Sequence, residues 1–318
     1  MLSDERIRAE LNNVLDVTCF EGLGARIEGK VRDCYVQKGR RILIATDRIS
    51  AFDCVLGTVP FKGQVLNQLA AFWFEKTRHI VPNHVIDVPD PNVMIVRECE
   101  QLPLEFVVRG YITGVTKTSA WYNYERGVRD FCGNRLPDGL RKDQKLPHPI
   151  VTPTTKLEKH DRNISRAEAI AEGLIDDATF DAAAGICLRL YEFGVKHAAE
   201  RGLIFVDTKY ELGRLDGQLI VTDEINTPDS SRYWFADTYE QLFTAGQEQR
   251  KLDKEYVREW LASQGFLGDG PPPVLPDAVR IEAARRYIQV YEVITGQEFV
   301  PARGPVKERV RQALGLAR

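Results

Sequence analysis

Residues 202–225 constrain the fold more than any other part of this sequence, because they predict a β-hairpin with one charged face. Two runs rich in β-branched and aromatic residues flank an Asp-Gly dipeptide, which is typical of a tight turn between strands. Asp207, Lys209 and Glu211 alternate with apolar residues at the period of two that a half-buried strand shows. One face of the hairpin is therefore predicted to be charged and the other to pack in the core.

The register of this hairpin decides which side chains share the charged face. A two-residue loop would pair Tyr210 with Asp223 and point that carboxylate at the core. A three-residue loop, starting at Leu215, would instead pair Lys209 with Asp223. We predict the three-residue loop, because it buries no unpaired carboxylate. Its charged face would carry Asp207, Lys209, Glu211 and Asp223, and its buried face Tyr210, Leu212, Ile220 and Thr222.

The charged face has the residue types of a site for a cation and a phosphate. Two carboxylates offer hard oxygen ligands to a cation, and the lysine between them offers an ammonium to a phosphate. The alternative is an ordinary solvated strand face of alternating charge. The turn at residues 227–234 favours the site, because it is dense in hydroxyls and has an arginine beside aromatic residues.

Composition excludes several classes of function. With 318 residues, 43% of them hydrophobic, the chain can bury a large core. A formal net charge of -3 leaves no overall basic field, which argues against nucleic acid as the partner. Six cysteines without a C-x-x-C pair indicate reduced thiols in a cytosol. The charged N-terminus and the absence of a long apolar run predict a soluble, cytoplasmic protein without a membrane partner.

Local patterns outside the hairpin predict many helices and a second, N-terminal sheet. Ser3 is expected to cap the first helix, and Ser165 with Glu168 matches a capping box. We expect residues 101–105 to connect two lobes, and the basic C-terminal tail to be a solvated helix face. The predicted strands of the N-terminal sheet are 25–36, 41–46, 93–99 and 104–108, and the predicted helices include 65–77, 177–201 and 276–295.

Two further motifs carry cations that suit an anionic ligand. In Gly29-Lys30-Val31-Arg32-Asp33, a glycine permits close backbone approach, and Lys30 and Arg32 lie on one face. The alternative for this motif is a hairpin corner. In residues 106–114, an apolar strand ends with Arg109 before a glycine-containing turn, which suits a carboxylate or phosphate clamp as well as a surface ion pair.

Taken together and in chain order, these motifs resemble the SAICAR synthetase family. The matching segments are 29–33, 45–53, 104–114, 206–213 and 223–234. The resemblance extends from about residue 20 to about residue 296 and is closest to the longer form of the family. It implies an α+β fold related to ATP-grasp and kinase-like proteins, with C-terminal helices. Residues 1–105 would form a small antiparallel nucleotide-binding lobe, and residues 106–318 a larger mixed α/β lobe for substrate and metal.

The resemblance also implies an activity. The chain would be an ATP-dependent ligase of de novo purine biosynthesis that joins L-aspartate to the carboxylate of carboxyaminoimidazole ribonucleotide. The products would be SAICAR, ADP and phosphate, with ATP and Mg²⁺ as cofactors. Its partners would be these small molecules, and its assembly a monomer or a small homo-oligomer.

Site residues carry over from the family by motif. Those implied for catalysis are Asp207, Lys209 and Arg232, and those for Mg²⁺ are Glu211 and Asp223. Those implied for ATP are Lys30, Arg32, Glu105 and Lys156. Those implied for the substrates are Arg109, Ser119, Asp161, Asp207, Lys209, Ser231, Arg232 and Lys254.

The sequence departs from the family pattern at two positions. Val115 follows Gly114 where members usually have a serine, and we expect Ser119 to replace that serine. Leu212 stands where the family pattern has an aromatic residue, on the predicted buried face of the hairpin. This second change should leave the metal site intact.

Two other classes of protein share some of these features. A phosphotransferase acting on a small metabolite would use the same lobes and carboxylates but would need no amine. A non-catalytic nucleotide sensor would need no carboxylate pair, so the presence of Glu211 and Asp223 counts against it. A ligase that passes through an acyl phosphate requires no nucleophilic side chain, which agrees with a sequence in which we find no Ser/His/Asp or Cys/His constellation.

Overall fold

The computed structural model describes residues 2–51, 54–156, 161–252, 255–266, 268 and 270–316. The strands are β1 (Ala25–Glu28), β2 (Arg32–Gln37), β3 (Arg40–Ala45), β4 (Arg48–Ala51), β5 (Cys54–Thr58), β6 (Val85–Asp90), β7 (Val93–Arg97), β8 (Glu100–Ile112), β9 (Asp130–Phe131), β10 (Asn134–Arg135), β11 (Gln144–Thr155), β12 (Leu203–Leu215), β13 (Gln218–Thr222) and β14 (Ser231–Phe235). The helices are α1 (Asp4–Ala9), α2 (Lys62–Thr77), α3 (Ala120–Tyr124), α4 (Arg166–Ala171), α5 (Asp177–Ala199), α6 (Ala236–Ala245), α7 (Glu255–Ser263), α8 (Asp277–Thr295) and α9 (Val306–Ala313).

An N-terminal antiparallel sheet has the strand order β1-β2-β3-β7-β6. Its strands β3 and β7 confirm the predictions at 41–46 and 93–99. The single strand predicted at 25–36 is wrong, because the chain turns after Glu28 and forms two strands, β1 and β2, that pair with each other. Residues 104–108 are a strand, as predicted, but their assignment to this sheet is wrong, because they belong to β8, which pairs with β11 and β12 in another sheet. The predicted connector 101–105 also lies inside β8. Alternating burial of Leu102, Leu104 and Phe106 explains this continuous strand, since one face packs throughout in the core.

The second sheet has the order β11-β8-β12-β13, and β14 pairs with the first half of β12. Strand β12 therefore lies between β8 and β14 at residues 207 and 208. In this arrangement Asp207 is opposite Arg109 of β8 and opposite Arg232 of β14. Residues far apart in sequence are thus brought together by strand pairing.

The hairpin of β12 and β13 forms where predicted but with a different register. Leu215 pairs with Gln218, so the loop has two residues and the predicted three-residue loop is wrong. Asp216 and Gly217 have φ values of 51° and 80°, the left-handed pair of a turn that matches strand twist. Consequently Leu212 opposes Val221 in the core, while Thr222 opposes Glu211 on the charged side, which corrects the predicted buried face.

The helices follow the local patterns closely. Ser3 accepts a hydrogen bond from the backbone of Arg6, and Ser165 with Glu168 forms the predicted capping box. Helices α5 and α8 occupy the predicted ranges 177–201 and 276–295 to within two residues. Fold class is confirmed as α+β with antiparallel sheets and C-terminal helices.

The basic C-terminal tail is only partly solvated. Its helix α9 buries Val306 and Val310 against apolar residues of the N-terminal sheet. Arg309 of the same helix donates to Asp90 at 2.5 Å and to Asn92 at 2.8 Å. The helix therefore packs on the sheet through one apolar face and one arginine.

The predicted lobe boundary between residues 105 and 106 falls inside β8, and the division into two lobes stays a prediction. In the ranges that the structure describes, no helix is both long and apolar enough to cross a membrane.

His84 is a buried imidazole just before β6. Its ring lies 5.3 Å from that of Phe74, and its Nε2 atom has no hydrogen-bond partner among the described residues. Burial lowers the pKa of His84 to about 3, with Asp223 opposing this shift and Arg32, Arg97 and Arg41 adding to it. The imidazole is therefore neutral in the folded protein.

Acid should destabilise the protein partly through His84. A histidine that stays neutral when folded stabilises the protein fully above its unfolded pKa of about 6.5 and loses that contribution as the pH falls towards 3. Between pH 7.5 and 5.5 we expect the wild type to lose about 1.4 kcal/mol more free energy of unfolding than His84→Leu. Urea unfolding at both pH values measures this difference. His148→Leu, at an exposed histidine, is the control, and equal losses in all three proteins would contradict the prediction.

Candidate active site

A cluster of acidic side chains surrounds the ammonium of Lys209. Its Nζ atom lies 2.5 Å from Glu211, 3.2 Å from Glu105 and 3.6 Å from Asp223. Lys209 and Glu211 are two residues apart in β12 and so share a face, and Glu105 is directly opposite Glu211 in β8. The charged face predicted from the hairpin is therefore present, with Glu105 as a third carboxylate.

Asp223 reaches this face although the observed register was expected to bury it. Strand β13 ends at Thr222, and Asp223 has a φ of 61°, so the alternation of faces does not continue through it. Its Oδ1 atom accepts a hydrogen bond of 2.5 Å from Arg32. Burial alone would raise the pKa of Asp223, but Arg32, Lys209 and Lys156 hold it below its usual range. The carboxylate is thus ionised at neutral pH.

Lys156 approaches the same carboxylates from the end of β11. Its ammonium forms an ion pair with Glu211, and its backbone N–H donates to Pro103 of β8 at 3.1 Å. Burial lowers the pKa of Lys156, and the nearby Asp223 opposes that shift. Three predicted cations, Arg32, Lys156 and Lys209, therefore lie beside the two predicted metal ligands.

A second charged group surrounds Asp207. Its Oδ2 atom lies 2.5 Å from Arg232 and 3.5 Å from Arg109. Arg109 also donates to Thr152 at 2.9 Å and to the carbonyl of Thr118 at 3.1 Å, so its guanidinium is held from several sides. Ser231 is bound through its hydroxyl to Thr208 at 2.8 Å. Two fixed guanidinium groups with nearby hydroxyls suit a phosphate or a carboxylate.

A cavity of about 180 Å³ lies beside the Asp207 group and reaches Lys209 of the first group. The other predicted residues of the first group do not line it: Arg32, Glu105, Lys156, Glu211 and Asp223. The predicted residues among those that line it are Arg109, Ser119, Asp207, Lys209, Ser231 and Arg232. A larger groove, of about 820 Å³, lies near residues 130–134 and 163–168. None of the predicted site residues that the structure describes lines this groove. The smaller cavity is therefore the candidate site.

Ser119 lines the cavity, and its role as a replacement for the missing serine stays a prediction. Its hydroxyl is 2.7 Å from that of Thr116, in the turn that follows Gly114. A Cβ atom at Gly114 would lie 2.4 Å from the Ser119 hydroxyl, and Gly114 has a φ of 91°. Glycine is required at position 114 on both counts.

Other predicted residues lie outside the cavity. Lys30 and Asp161 are exposed and do not line it, and Lys254 lies outside the described residues. The motif of Lys30 is nevertheless held close to β4, because Arg48 donates to the carbonyls of Gly29 at 2.9 Å and Lys30 at 3.2 Å.

Sequence reasoning missed three residues at or beside the cavity. Asp229 and Arg258 line it, and the buried ammonium of Lys62 lies 2.8 Å from Asp229. The sequence could have indicated Asp229, since this residue belongs to the hydroxyl-rich turn at 227–234 that suits an anionic ligand. Lys62 and Arg258 lie at the start of one helix and inside another, where charged residues are ordinary.

The donor set at Lys209 fits a hard cation. Carboxylates Glu105, Glu211 and Asp223 all lie within 3.6 Å of one ammonium, and Mg²⁺ prefers such oxygen ligands. The lysines now neutralise these carboxylates, and the described residues contain no cluster of three His, Cys, Asp or Glu ligands arranged around a metal position. These carboxylates are therefore of the residue type that binds Mg²⁺.

The fold and the site define a class of protein. It has two five-stranded antiparallel sheets and a cavity whose charged lining residues are Arg109, Asp207, Lys209, Asp229, Arg232 and Arg258. Such a site suits phosphorylated substrates and the transfer of a phosphoryl group.

Comparison with known proteins narrows this class to a family. The family model described as SAICAR synthetase matches residues 25–269. The phosphoribosylaminoimidazole-succinocarboxamide synthase of Legionella pneumophila (strain Lens) is 50% identical over 291 residues, which cover 90% of this chain and 93% of that protein. The chloroplastic synthase of Arabidopsis thaliana is 48% identical over 312 residues, covering 96% of this chain and 76% of that protein.

Solved structures agree with this result. SAICAR synthase from Saccharomyces cerevisiae, complexed with SAICAR, has a TM-score of 0.79 and 32% identity, covering 90% of this chain and 100% of that one. A SAICAR synthetase in complex with ADP has a TM-score of 0.65 and 26% identity, covering 87% and 100%. The chain therefore belongs to the SAICAR synthetase family, which confirms the family predicted from its motifs.

Proposed function

We propose that the chain joins L-aspartate to the carboxylate of carboxyaminoimidazole ribonucleotide, using ATP and producing SAICAR, ADP and phosphate. One observation carries this proposal: strand β12 presents Asp207 between two arginines and, two residues later, Lys209 among three carboxylates. A nucleotide substrate held by the first group would have its carboxylate next to ATP at the second.

The reaction requires activation of a poor acyl donor. Attack of the substrate carboxylate on the γ-phosphorus of ATP breaks the bond to ADP and forms an acyl phosphate. The amine of aspartate, after losing a proton, then attacks the acyl carbon, and phosphate leaves. Phosphoryl transfer asks mainly for positioning and charge neutralisation, which the cations of this site can supply.

Roles for the individual residues follow from their positions. Arg109, Arg232 and the hydroxyls of Ser119 and Ser231 would hold the phosphate and carboxylate of the imidazole nucleotide, with Asp207 orienting the two arginines. When bound, Mg²⁺ would neutralise charge on the ATP phosphates, and Glu211 and Asp223 are the proposed ligands. The residues proposed to hold ATP are Lys30, Arg32, Glu105 and Lys156, and further substrate contacts are assigned to Lys209, Asp161 and Lys254.

We also propose a location in the cell and a division of roles between two lobes. A purine ligase with free thiols and small soluble substrates belongs in the cytoplasm. Residues 1–105 would serve mainly as the nucleotide lobe and residues 106–318 as the lobe for substrate and metal.

Omission of single components tests the function. ADP release from purified protein should require ATP, Mg²⁺, carboxyaminoimidazole ribonucleotide and L-aspartate together, and the product should have the mass of SAICAR. ADP release independent of aspartate would indicate a phosphotransferase instead. No release with all four components present would reject the ligase.

A further inference from the structure

A buried ammonium lies at a junction of three distant parts of the chain. Lys62, the first residue of α2, is 0% exposed. Its Nζ atom is 2.8 Å from Oδ2 of Asp229 and lies 5.4 Å from the centre of the Tyr287 ring. Because a buried charge is costly without a partner, Lys62 strongly favours one position of the Asp229 carboxylate.

Tyr287 holds the same carboxylate from the other side. Its hydroxyl donates to Oδ1 of Asp229 at 2.6 Å. The two oxygens of Asp229 are thus bound by different elements, Oδ2 by α2 and Oδ1 by α8. Such a two-sided contact fixes both the position and the rotation of the carboxylate.

Asp229 is part of the segment that presents the substrate residues. It lines the 180 Å³ cavity, and Ser231 and Arg232 come two and three residues after it in the chain. The carbonyl of the neighbouring Ser230 accepts from the backbone of Lys209 at 3.1 Å. A shift of Asp229 would therefore move the groups proposed to hold the imidazole nucleotide.

The support for this junction comes from the C-terminal region. Helix α8 lies beyond residues 25–269, the part matched by the family model. Gln64 of α2 donates to the carbonyl of Val300 at 2.9 Å and accepts from the backbone of Ala302 at 3.0 Å. These contacts tie the start of α2 to the segment that follows α8, so Lys62 and Tyr287 are held together.

We propose that Tyr287 is a positioning residue for the imidazole nucleotide, acting through Asp229 together with Lys62. Helix α8, which carries Tyr287, would then contribute to substrate binding as well as to the stability of the fold. This inference rests on the proposed function, because it assigns the cavity beside Asp229 to the nucleotide substrate.

Removal of one hydroxyl tests the inference. Tyr287→Phe should lower kcat/KM for carboxyaminoimidazole ribonucleotide by roughly 10-fold, the effect of one hydrogen bond to a charged group, and leave the KM for ATP unchanged. Tyr291→Phe is the matched control, because Tyr291 lies one turn further along α8 and packs its ring on Phe299, 5.5 Å away. It should retain wild-type values for every substrate.

A double-mutant cycle separates positioning from general stability. If Tyr287 acts through Asp229, then adding Tyr287→Phe to Asp229→Asn should lower kcat/KM by less than 2-fold. Equal kinetics for Tyr287→Phe and Tyr291→Phe, or a full 10-fold loss on top of Asp229→Asn, would overturn the inference. Failure of the wild type to release ADP in an aspartate-dependent way would reject the proposed function, which is a different result.

Discussion

Asp223→Asn should lower Mg²⁺-dependent ADP release by at least about 100-fold, because it removes a charged ligand from the proposed metal site. The substitution keeps the shape of the side chain but leaves Arg32 and Lys209 facing an uncharged amide, with Glu211 as the remaining assigned ligand. The Mg²⁺ concentration that gives half-maximal rate should rise as well. Initial rates over a series of Mg²⁺ concentrations measure both effects.

The loss of activity in Asp223→Asn should not depend on pH. Since neighbouring cations hold the pKa of Asp223 below its usual range, the wild-type carboxylate stays ionised across the pH range of ordinary assays. The defect of Asp223→Asn should therefore be the same at pH 6 and pH 8.

The hairpin offers a matched control for this experiment. Asp216 is exposed at the hairpin turn with a φ of 51°, a conformation that asparagine accepts readily. Asp216→Asn should retain wild-type activity. If Asp223→Asn kept the same Mg²⁺-dependent turnover, the metal assignment would be wrong.

Arg48→Met should lower the free energy of unfolding by about 3–5 kcal/mol, the usual cost of removing one partner of a buried ion pair. Arg48 donates to Asp33 at 2.7 Å, and the Asp33 side chain is 0% exposed. The variant also releases the carbonyls of Gly29 and Lys30. Urea unfolding at pH 7 measures the loss.

The effect of Arg48→Met should depend on pH in a known direction. Burial tends to raise the pKa of Asp33, but hydrogen bonds from Arg48 and Thr18 hold it below the usual value. A lowered pKa stabilises the folded protein above the unfolded pKa and loses that effect as the pH falls. The difference between wild type and variant should therefore shrink below about pH 4.

Arg26 provides the comparison, because it contacts the same carboxylate from the surface. Its guanidinium is 3.2 Å from Asp33, and its side chain is 25% exposed. Arg26→Met should cost no more than about 1 kcal/mol, as solvent screens such pairs. Equal losses for the two variants would show that burial of Arg48 does not determine the effect.

Features controlled by neighbours in sequence were predicted well. The caps at Ser3 and Ser165 and the ranges of α5 and α8 depend on residues within a few positions of one another. The alternation around Lys209 predicted the charged face for the same reason. Motifs in order along the chain were enough to identify the family.

Features that depend on strand partners were predicted less well. Both hairpin loops were compatible with the sequence, and the left-handed pair at Asp216 and Gly217 selected the shorter one. The positive φ of Asp223 then returned this carboxylate to the charged side. Residues 104–108 looked like a strand of the first sheet, because a strand pattern does not specify its partner.

The sequence by itself determined the helices, the charged strand and the family, because each depends on short-range patterns or on motifs read in order. Only the tertiary structure decided that Glu105 joins the carboxylates and that Lys62, Asp229 and Tyr287 meet. These residues come from separate elements of the chain, and their contacts arise from strand register and helix packing. Such contacts bury charges that must be paired, and burial is a property of the folded chain alone.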